Sequence, residues 1–363
     1  MSIKRKKRLL VLYTTTRQMR SLSYVYGYPN ALKSSSLFEV TCCNFGSIPP
    51  VRWLDRWRAL SRKSYDAVVM LHTTSHQMYY FWEDVLRKYR APIVWFIGNE
   101  FRGMPSKMDF ARDVGISMLV TQTLSQQVID VYHNHLGCKV IGLPVCGFDN
   151  SVYRPGPPIS EREIDIGYRG AIGPPWLGHW DREVIAEVFL RAIESNDRYV
   201  SDISLDLTDR LPWRKWRNFL QSSKTQLCVS SGGEIFELTD STRLKMESYI
   251  LSNPKFSREE ILTLLPPEEE RIRLRVLGSR MMEAAATRTP QIMYRDDFDG
   301  PMRPDIDYIA LNKSHDNIDD VMDRLRDYKF LEYIAKNCEE TLSDFASYSV
   351  LLDIFDKALD DIV

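Results

Sequence analysis

The sequence predicts two α/β units in tandem, each a parallel β-sheet wrapped by helices. Three observations carry this expectation. Through the first 142 residues, short apolar runs at 9–13, 38–42, 67–71, 93–97, 118–121 and 140–142 alternate with helical stretches such as 78–89 and 125–135. At Leu143 the texture changes to LPVCGFDNSVYRPGPPISERE, rich in Pro and Gly and without periodicity, which marks an interdomain linker. Beyond it an apolar run at 164–168 opens a second α/β unit and leads into a Gly-rich turn.

The first apolar run follows KRKK and superficially resembles a signal peptide, but 9–13 is far too short for one. It fits a buried strand, because parallel strands covered on both faces are continuous apolar runs. Thr123 or Ser125 is placed to cap the helix at 125–135. In the second unit, 226–230 has the pattern of a strand opening into SSGGEIFELTD. Residues 240–272 are amphipathic and punctuated by prolines, which predicts a helical insertion; Ser257 and Glu260 have the spacing of a capping box for a helix over 258–265. The end of the chain, with Phe345, Leu351, Leu352, Ile354, Phe355 and Leu359 apolar, predicts one helix over 342–363. The expected division is a first domain over 1–145, a linker over 146–160, a second domain over 161–344 and a final helix over 345–363.

Composition bounds the function. A chain of 363 residues with 44% hydrophobic content suits two ordinary domains, and a net charge of −1 argues against a nucleic-acid partner. Six cysteines, at 42, 43, 138, 146, 228 and 338, form no CxxC pair, so they fit buried thiols of a reducing compartment, with a cytoplasmic address. No segment approaches the roughly 20 apolar residues of a membrane span.

The stretch 279–311, SRMMEAAATRTPQIMYRDDFDGPMRPDIDYIAL, carries the most chemistry. A Ser at a helix start leaves free N–H groups and a positive dipole end that attract a phosphate, and Arg280 adds a cationic fork. Glu283 shares the helical face of Arg280 and can accept hydrogen bonds from sugar hydroxyls. The alternative is that Ser279 merely caps the helix and Glu283 completes a capping box, although a box carboxylate belongs three residues after the cap and this one is four. Arg169, in the Gly-rich turn after 164–168, is placed to meet a diphosphate, or is a solvated arginine on a plain turn. Gly232 and Gly233, with Glu234 directly after, could aim backbone N–H groups at an anion or sugar, or form only a turn. Asn99 and Glu100 lie at the carboxyl end of the run 93–97, where open α/β sheets bind ligands. Arg17 and Arg20, after the first strand, are either donor contacts or surface charges. HTTSHQMYYFW, from His72, also stands out.

Other constellations carry less. His133 and His135 would not converge on one metal from a helix. The aromatic-basic clusters Arg52-Trp53-…-Arg56-Trp57-Arg58 and Trp213-Arg214-Lys215-Trp216-Arg217 fit either peripheral contact with an anionic membrane or domain-packing tryptophans with solvated neighbours.

Two motifs together point to a family. R-x-x-E-A-A-x-x-x-T-P, here Arg280, Glu283-Ala284-Ala285 and Thr289-Pro290, is followed by a strand and the P-x-x-x-Y-I stretch at 304–309. The linker carries G-x-D-x-x-x-Y-x-P, here Gly147, Asp149, Tyr153 and Pro155. This resembles the GT-B glycosyltransferases, in particular family 1/4-like proteins and the glycosyltransferase-like domain of bacterial spore maturation and surface-polysaccharide proteins. The resemblance implies two Rossmann-like domains facing a cleft, acceptor side first and nucleotide-sugar side second, with the last helix crossing back onto the first domain. It implies that Glu283 holds the donor ribose. Relatives place a second glutamate eight positions earlier, but that position here is Arg275, so Ser231 to Glu234 is expected in its place. Relatives present a histidine after the fourth strand, where this chain has Asn99 and Glu100. Asp297-Phe298-Asp299 is formally a D-x-D, but its late position fits a cleft loop with Asp299 and Gly300 touching donor sugar hydroxyls. The implied activity is sugar transfer from a nucleotide-sugar to a glycan or lipid-linked acceptor, retaining and without metal or further cofactor. Arg169, Arg280 and the Ser279 helix start would stabilise the leaving phosphate. Inversion with Glu100 as base, a catalytically silent scaffold and a nucleotide-sugar epimerase are the alternatives.

Overall fold

The computed structural model describes residues 5–15, 24–44, 54, 57, 61, 64–71, 86, 90–194, 198–295 and 300–363. The first sheet holds β1 (Lys7–Tyr13), β2 (Phe38–Asn44), β3 (Ala67–Met70), β4 (Ile93–Phe96), β5 (Ile116–Thr121) and β6 (Lys139–Gly142) in the order β2-β1-β3-β4-β5-β6. Every pairing is parallel, and β3 and β4 are buried at all positions, as strands covered on both faces must be. The covering helices include α1 (Tyr24–Ser34), α2 (Met104–Asp113) and α3 (Gln126–Leu136). The expected helix at 78–89 falls almost wholly outside the described residues.

The second sheet holds β7 (Ile164–Arg169), β8 (Ser201–Ser204), β9 (Ser223–Leu227), β10 (Gln291–Tyr294) and β11 (Ile309–Leu311), ordered β11-β10-β9-β7-β8 and again parallel. Helices α4 (Asp181–Glu194) and α5 (Trp213–Ser222) follow β7 and β8. In both sheets the chain steps outward to its second strand and then crosses back past the first. This creates a switch point beside β1 and beside β7, where open α/β sheets bind ligands.

β9 begins three residues before the expected 226–230, because its sequence SKTQL is polar yet wholly buried. Three of its polar side chains are satisfied: Thr225 Oγ1 donates to the Asp165 carbonyl (2.6 Å), Lys224 Nζ pairs with the Asp165 carboxylate (2.8 Å), and Ser223 Oγ donates to the Phe219 carbonyl (2.8 Å), whereas the Gln226 carboxamide is buried without a partner among the described residues.

The insertion contains α6 (Ser241–Ser252) and α7 (Arg258–Leu262), the latter opened by the Ser257–Glu260 capping box. Its return strand pairs with the outgoing one: Gly233 bridges Leu274, and Phe236 N donates to the Ile272 carbonyl (2.6 Å). Phe236, Leu274 and Val276 enter the core of the first domain, where Phe236 meets Tyr132 edge-on at 5.0 Å. Asp240 then bonds the Gly103 N–H (2.6 Å) and Met104 N–H (3.2 Å), capping α2 of the first domain from the second.

After α8 (Ser279–Ala286) and α9 (Ile318–Arg324), the expected single helix over 342–363 is two. α10 (Tyr328–Ala346) and α11 (Tyr348–Asp360) break at Ser347, which is extended (φ −59°, ψ 147°). The linker causes the break: Phe148 N donates to the Ala346 carbonyl (2.7 Å), so that carbonyl is held outside the helical ladder. The crossing helix therefore starts at Tyr348, not at 345. Tyr348 fills the joint so tightly that a Cβ on Gly27 would lie 1.7 Å from its hydroxyl. α11 lies on the first sheet, with Phe355 against Phe38 (6.0 Å) and Phe96 (5.5 Å) and with Lys7 paired to Asp356 and Asp360.

Candidate active site

The site is assembled at the carboxyl end of β7, where α8 meets α5. Ser279 is the first residue of α8, not its cap; the cap is Gly278, extended and without a side-chain bond, so there is no capping box. A Cβ on Gly278 would lie 2.6 Å from Ser231 Oγ, so a larger residue there would have to turn that hydroxyl aside. Arg280 lies over the rings of Tyr168 (5.4 Å) and Trp216 (5.7 Å) and donates to the Arg169 carbonyl. Its Nε is buried without a partner, and no carboxylate among the described residues pairs with it. Glu283, one turn on and 8% exposed, accepts from Trp216 Nε1 (2.7 Å) and the Tyr153 hydroxyl (3.1 Å). Trp216 thus touches both residues of the α8 pair, which explains why the Trp213–Arg217 cluster turns one tryptophan inward. Trp213 stays at the rim with Arg214 (5.2 Å) and Arg217 (5.8 Å) over its ring.

Arg169 does not contribute its guanidinium to this site. That group pairs with Asp202 (2.7 Å), donates to the carbonyls of Tyr168 and Asp202 (both 3.0 Å) and lies 4.4 Å from the Phe219 ring. Only the Arg169 carbonyl serves the site, through Arg280. Arg182, in the first turn of α4, is a second cation close enough to Arg280 for the two charges to act on each other. It makes no hydrogen bond or ion pair with a described residue, and burial together with the Arg280 charge holds its pKa below the ordinary arginine range. Its one legible sign was position: it opens the helix that follows the Gly-rich turn.

The glycine pair serves chain packing. Gly233 exchanges both backbone hydrogen bonds with Leu274 (3.0 Å each), so its N–H is not available to an anion, and the Gly232 carbonyl accepts from His179 Nε2 (3.0 Å). Glu234 is held by Arg275 (2.9 Å) and Arg273 (3.3 Å). Arg275, eight positions before Glu283, therefore neutralises the glutamate that was expected to serve the donor. A Cβ on Gly232 would lie 1.6 Å from the Leu274 carbonyl oxygen, a backbone atom. Gly232→Ala is expected to destabilise the protein by about 3 kcal/mol, the upper range for overpacking, measured by urea denaturation.

Glu100 is 1% exposed and fully engaged, accepting from Thr121 Oγ1 (2.5 Å), Tyr132 (2.8 Å) and Gln122 N (2.8 Å). Burial raises its pKa against these bonds. It ties β4 to β5 and α3 and does not reach an acceptor, which corrects its assignment as a base. Asn99, in contrast, is exposed at the end of β4 with φ 51°. Phe101, two residues on, packs against Trp176 (5.6 Å) in the loop between β7 and α4. The turn after β4 thus faces the loop leading to Arg182.

Asp297, Phe298 and Asp299, like Arg17, Arg20 and His72, lie outside the described residues; Gly300 is an exposed bend. His133 bonds the Cys138 carbonyl (2.8 Å), and no three metal-ligating side chains cluster among the described residues. None of the described helices is long and apolar enough to cross a membrane.

This geometry has parallels among solved structures. An α-glucosyltransferase in complex with UDP-glucose and DNA containing an abasic site aligns over 98% of this chain and 100% of its own, with TM-score 0.60 and 10% identity. The chain has the GT-B fold. Anabaena Alr3699/HepE in complex with UDP-glucose aligns over 98% and 100% (TM-score 0.51, 11% identity), and the N-terminal domain of Candida albicans trehalose-6-phosphate phosphatase over 100% and 98% (0.54, 12%). At these identities the likeness is one of fold. No family model matches the chain, and no curated protein matches it by sequence. In this GT-B chain, a cavity of about 870 Å³ opens at the hinge side of the cleft. Tyr26 and Asn30 of α1, Asp149 of the linker, Trp213, Glu283 and Tyr348 are among its walls.

Proposed function

We propose that the protein is a glycosyltransferase that moves a sugar from a nucleotide-sugar to a glycan or lipid-linked acceptor, with retention and without a metal. The observation that carries this reading is the Arg280–Arg182 pair at the switch point, with Glu283 one turn further along α8. Two cations without carboxylate partners, half-buried at a helix start, are suited to a diphosphate. In this reading Glu283 holds the ribose, its carboxylate oriented by Trp216 and Tyr153.

In the transfer step the bond between sugar C1 and the phosphate oxygen breaks, its electron pair passing to the nucleoside diphosphate. The acceptor oxygen bonds C1 from the same face and its proton passes to the departing phosphate. Arg280, Arg182 and the α8 N–H groups stabilise the negative charge that grows there, without solvent reorganisation. Retention is favoured because Glu100, the candidate base for inversion, is buried. An epimerase would need such a base as well.

The α-glucosyltransferase neighbour was solved with DNA, but the net charge of −1 in this chain supplies no surplus of cations for a phosphate backbone. A glycan acceptor in surface-polysaccharide or spore-coat assembly fits better, as the likeness of the Arg280–Pro290 motif to spore maturation proteins suggests.

Thermal shift with UDP-, GDP-, dTDP- and ADP-sugars, with and without Mg²⁺, tests the donor site. Stabilisation by one nucleotide class, indifferent to Mg²⁺, is expected; no shift with any donor overturns the reading and favours a silent scaffold. Glu283→Gln is expected to weaken the donor about tenfold at unchanged stability. Glu283→Ala should also lose about 1–3 kcal/mol of stability, because the buried Trp216 and Tyr153 donors lose their acceptor.

A further inference from the structure

Lys107, on the first turn of α2, is 3% exposed. Its ammonium turns back on the end of β4 and donates to the carbonyls of Gly98 (2.8 Å) and Asn99 (2.7 Å). These two carbonyls belong to the peptide units on either side of Asn99, whose φ of 51° lies in the left-handed region that asparagine enters more readily than other non-glycine residues. The same turn is pinned elsewhere. Glu100 is locked by Thr121, Tyr132 and Gln122, Asp240 caps Gly103 and Met104, and Phe101 meets Trp176 across the cleft. The Asn99 carboxamide makes no hydrogen bond with a described residue and lies exposed opposite the loop that leads to Arg182.

We propose that Lys107 is a positioning residue, gripping the peptide units around Asn99 so that the Asn99 carboxamide meets the hydroxyls of the donor sugar in the transition state. The proposal rests on the transferase reading. A carboxamide both donates and accepts, which matches a sugar hydroxyl. Charge-assisted bonds from an ammonium hold carbonyls more strongly than those of a neutral amine, so the grip depends on the Lys107 proton. The charged groups around it are Glu100 and Asp240, which favour the ammonium, and Arg102, which opposes it. Burial is the largest influence and lowers its pKa to about 8.

Two measurements test this. In the first, kcat for transfer is followed from pH 6 to 10. Wild type is expected to lose kcat above about pH 8 with little change in donor KM, and Lys107→Arg to hold it. Lys107→Met is expected to lose about a hundredfold at every pH, the scale of a small misplacement of a reacting group. In an Asn99→Ala background Lys107→Met should cost nothing further, whereas a merely structural lysine would give additive losses. Wild-type kcat in Lys107→Met below pH 8, or additivity, overturns the proposal. The second measurement is independent of turnover: in wild type the backbone amide resonances of Gly98, Asn99 and Glu100 should titrate together near pH 8, and in Lys107→Met they should not. Static resonances in wild type overturn the proposal, whereas titrating resonances with no turnover of any donor mean that the transferase reading has failed and the grip has not.

Discussion

Replacing Arg280 with alanine is expected to slow sugar transfer by about a hundred- to a thousandfold, the usual cost of removing one fixed donor from a developing negative charge. Arg280 is the residue best placed for this, because its guanidinium is held over Tyr168 and Trp216 and anchored by the Arg169 carbonyl. Preorganised in this way, and without a carboxylate partner among the described residues, it would meet the phosphate of the proposed donor with its charge unspent. Arg280→Lys keeps the charge but loses the planar fork and the stacking, so it should recover only part of the rate. The measurement is kcat under donor saturation alongside the thermal midpoint. If Arg280→Ala keeps wild-type turnover, the diphosphate does not sit at α8. Arg182→Ala is the companion variant, and its loss should be smaller, because α8 and Arg280 remain.

Phe355→Ala is expected to cost about 3–5 kcal/mol, the range for deleting a buried aromatic ring. Phe355 is 0% exposed and fills the space between Phe38 and Phe96 on the first sheet, although it belongs to the last helix of the chain. Its neighbour Ile354 is 42% exposed, so Ile354→Ala should stay within about 0.5 kcal/mol. Chemical denaturation of the two variants separates a packed crossing helix from a loosely applied one. Equal, small losses would mean that α11 does not hold the first domain.

The strands of the first sheet were legible because burial on both faces leaves a continuous apolar run, and β1, β3, β4 and β5 have it. β9 was displaced by three residues because its buried positions are Ser, Lys, Thr and Gln. Lys224 and Thr225 find their partner in Asp165, which is remote in sequence, and no local pattern announces it. That Arg280 and Glu283 share one face of α8 was legible from helical spacing alone. Arg169 was half legible: its place at the end of β7 was correct, but the direction of its side chain depends on Asp202 of the neighbouring strand. Glu100 failed as a site residue for the same reason, since three donors from β5, the residue after it and α3 draw it inward.

The sequence by itself determined the six strands of the first sheet, the Pro- and Gly-rich joint between two parallel sheets, and the helix start that carries Arg280 and Glu283. These follow from short-range rules: apolar runs, helical spacing, capping and turn residues. Only the tertiary structure decided which charges are spent and which are free. It turned Arg169 and Glu234 into ion pairs, brought Arg182 to Arg280, drew Asp240 across to cap α2 and broke the last helix at Ser347. Each of these depends on a partner far away in the chain, because whether a buried charge or an unbonded carbonyl is satisfied is settled by what the fold brings beside it.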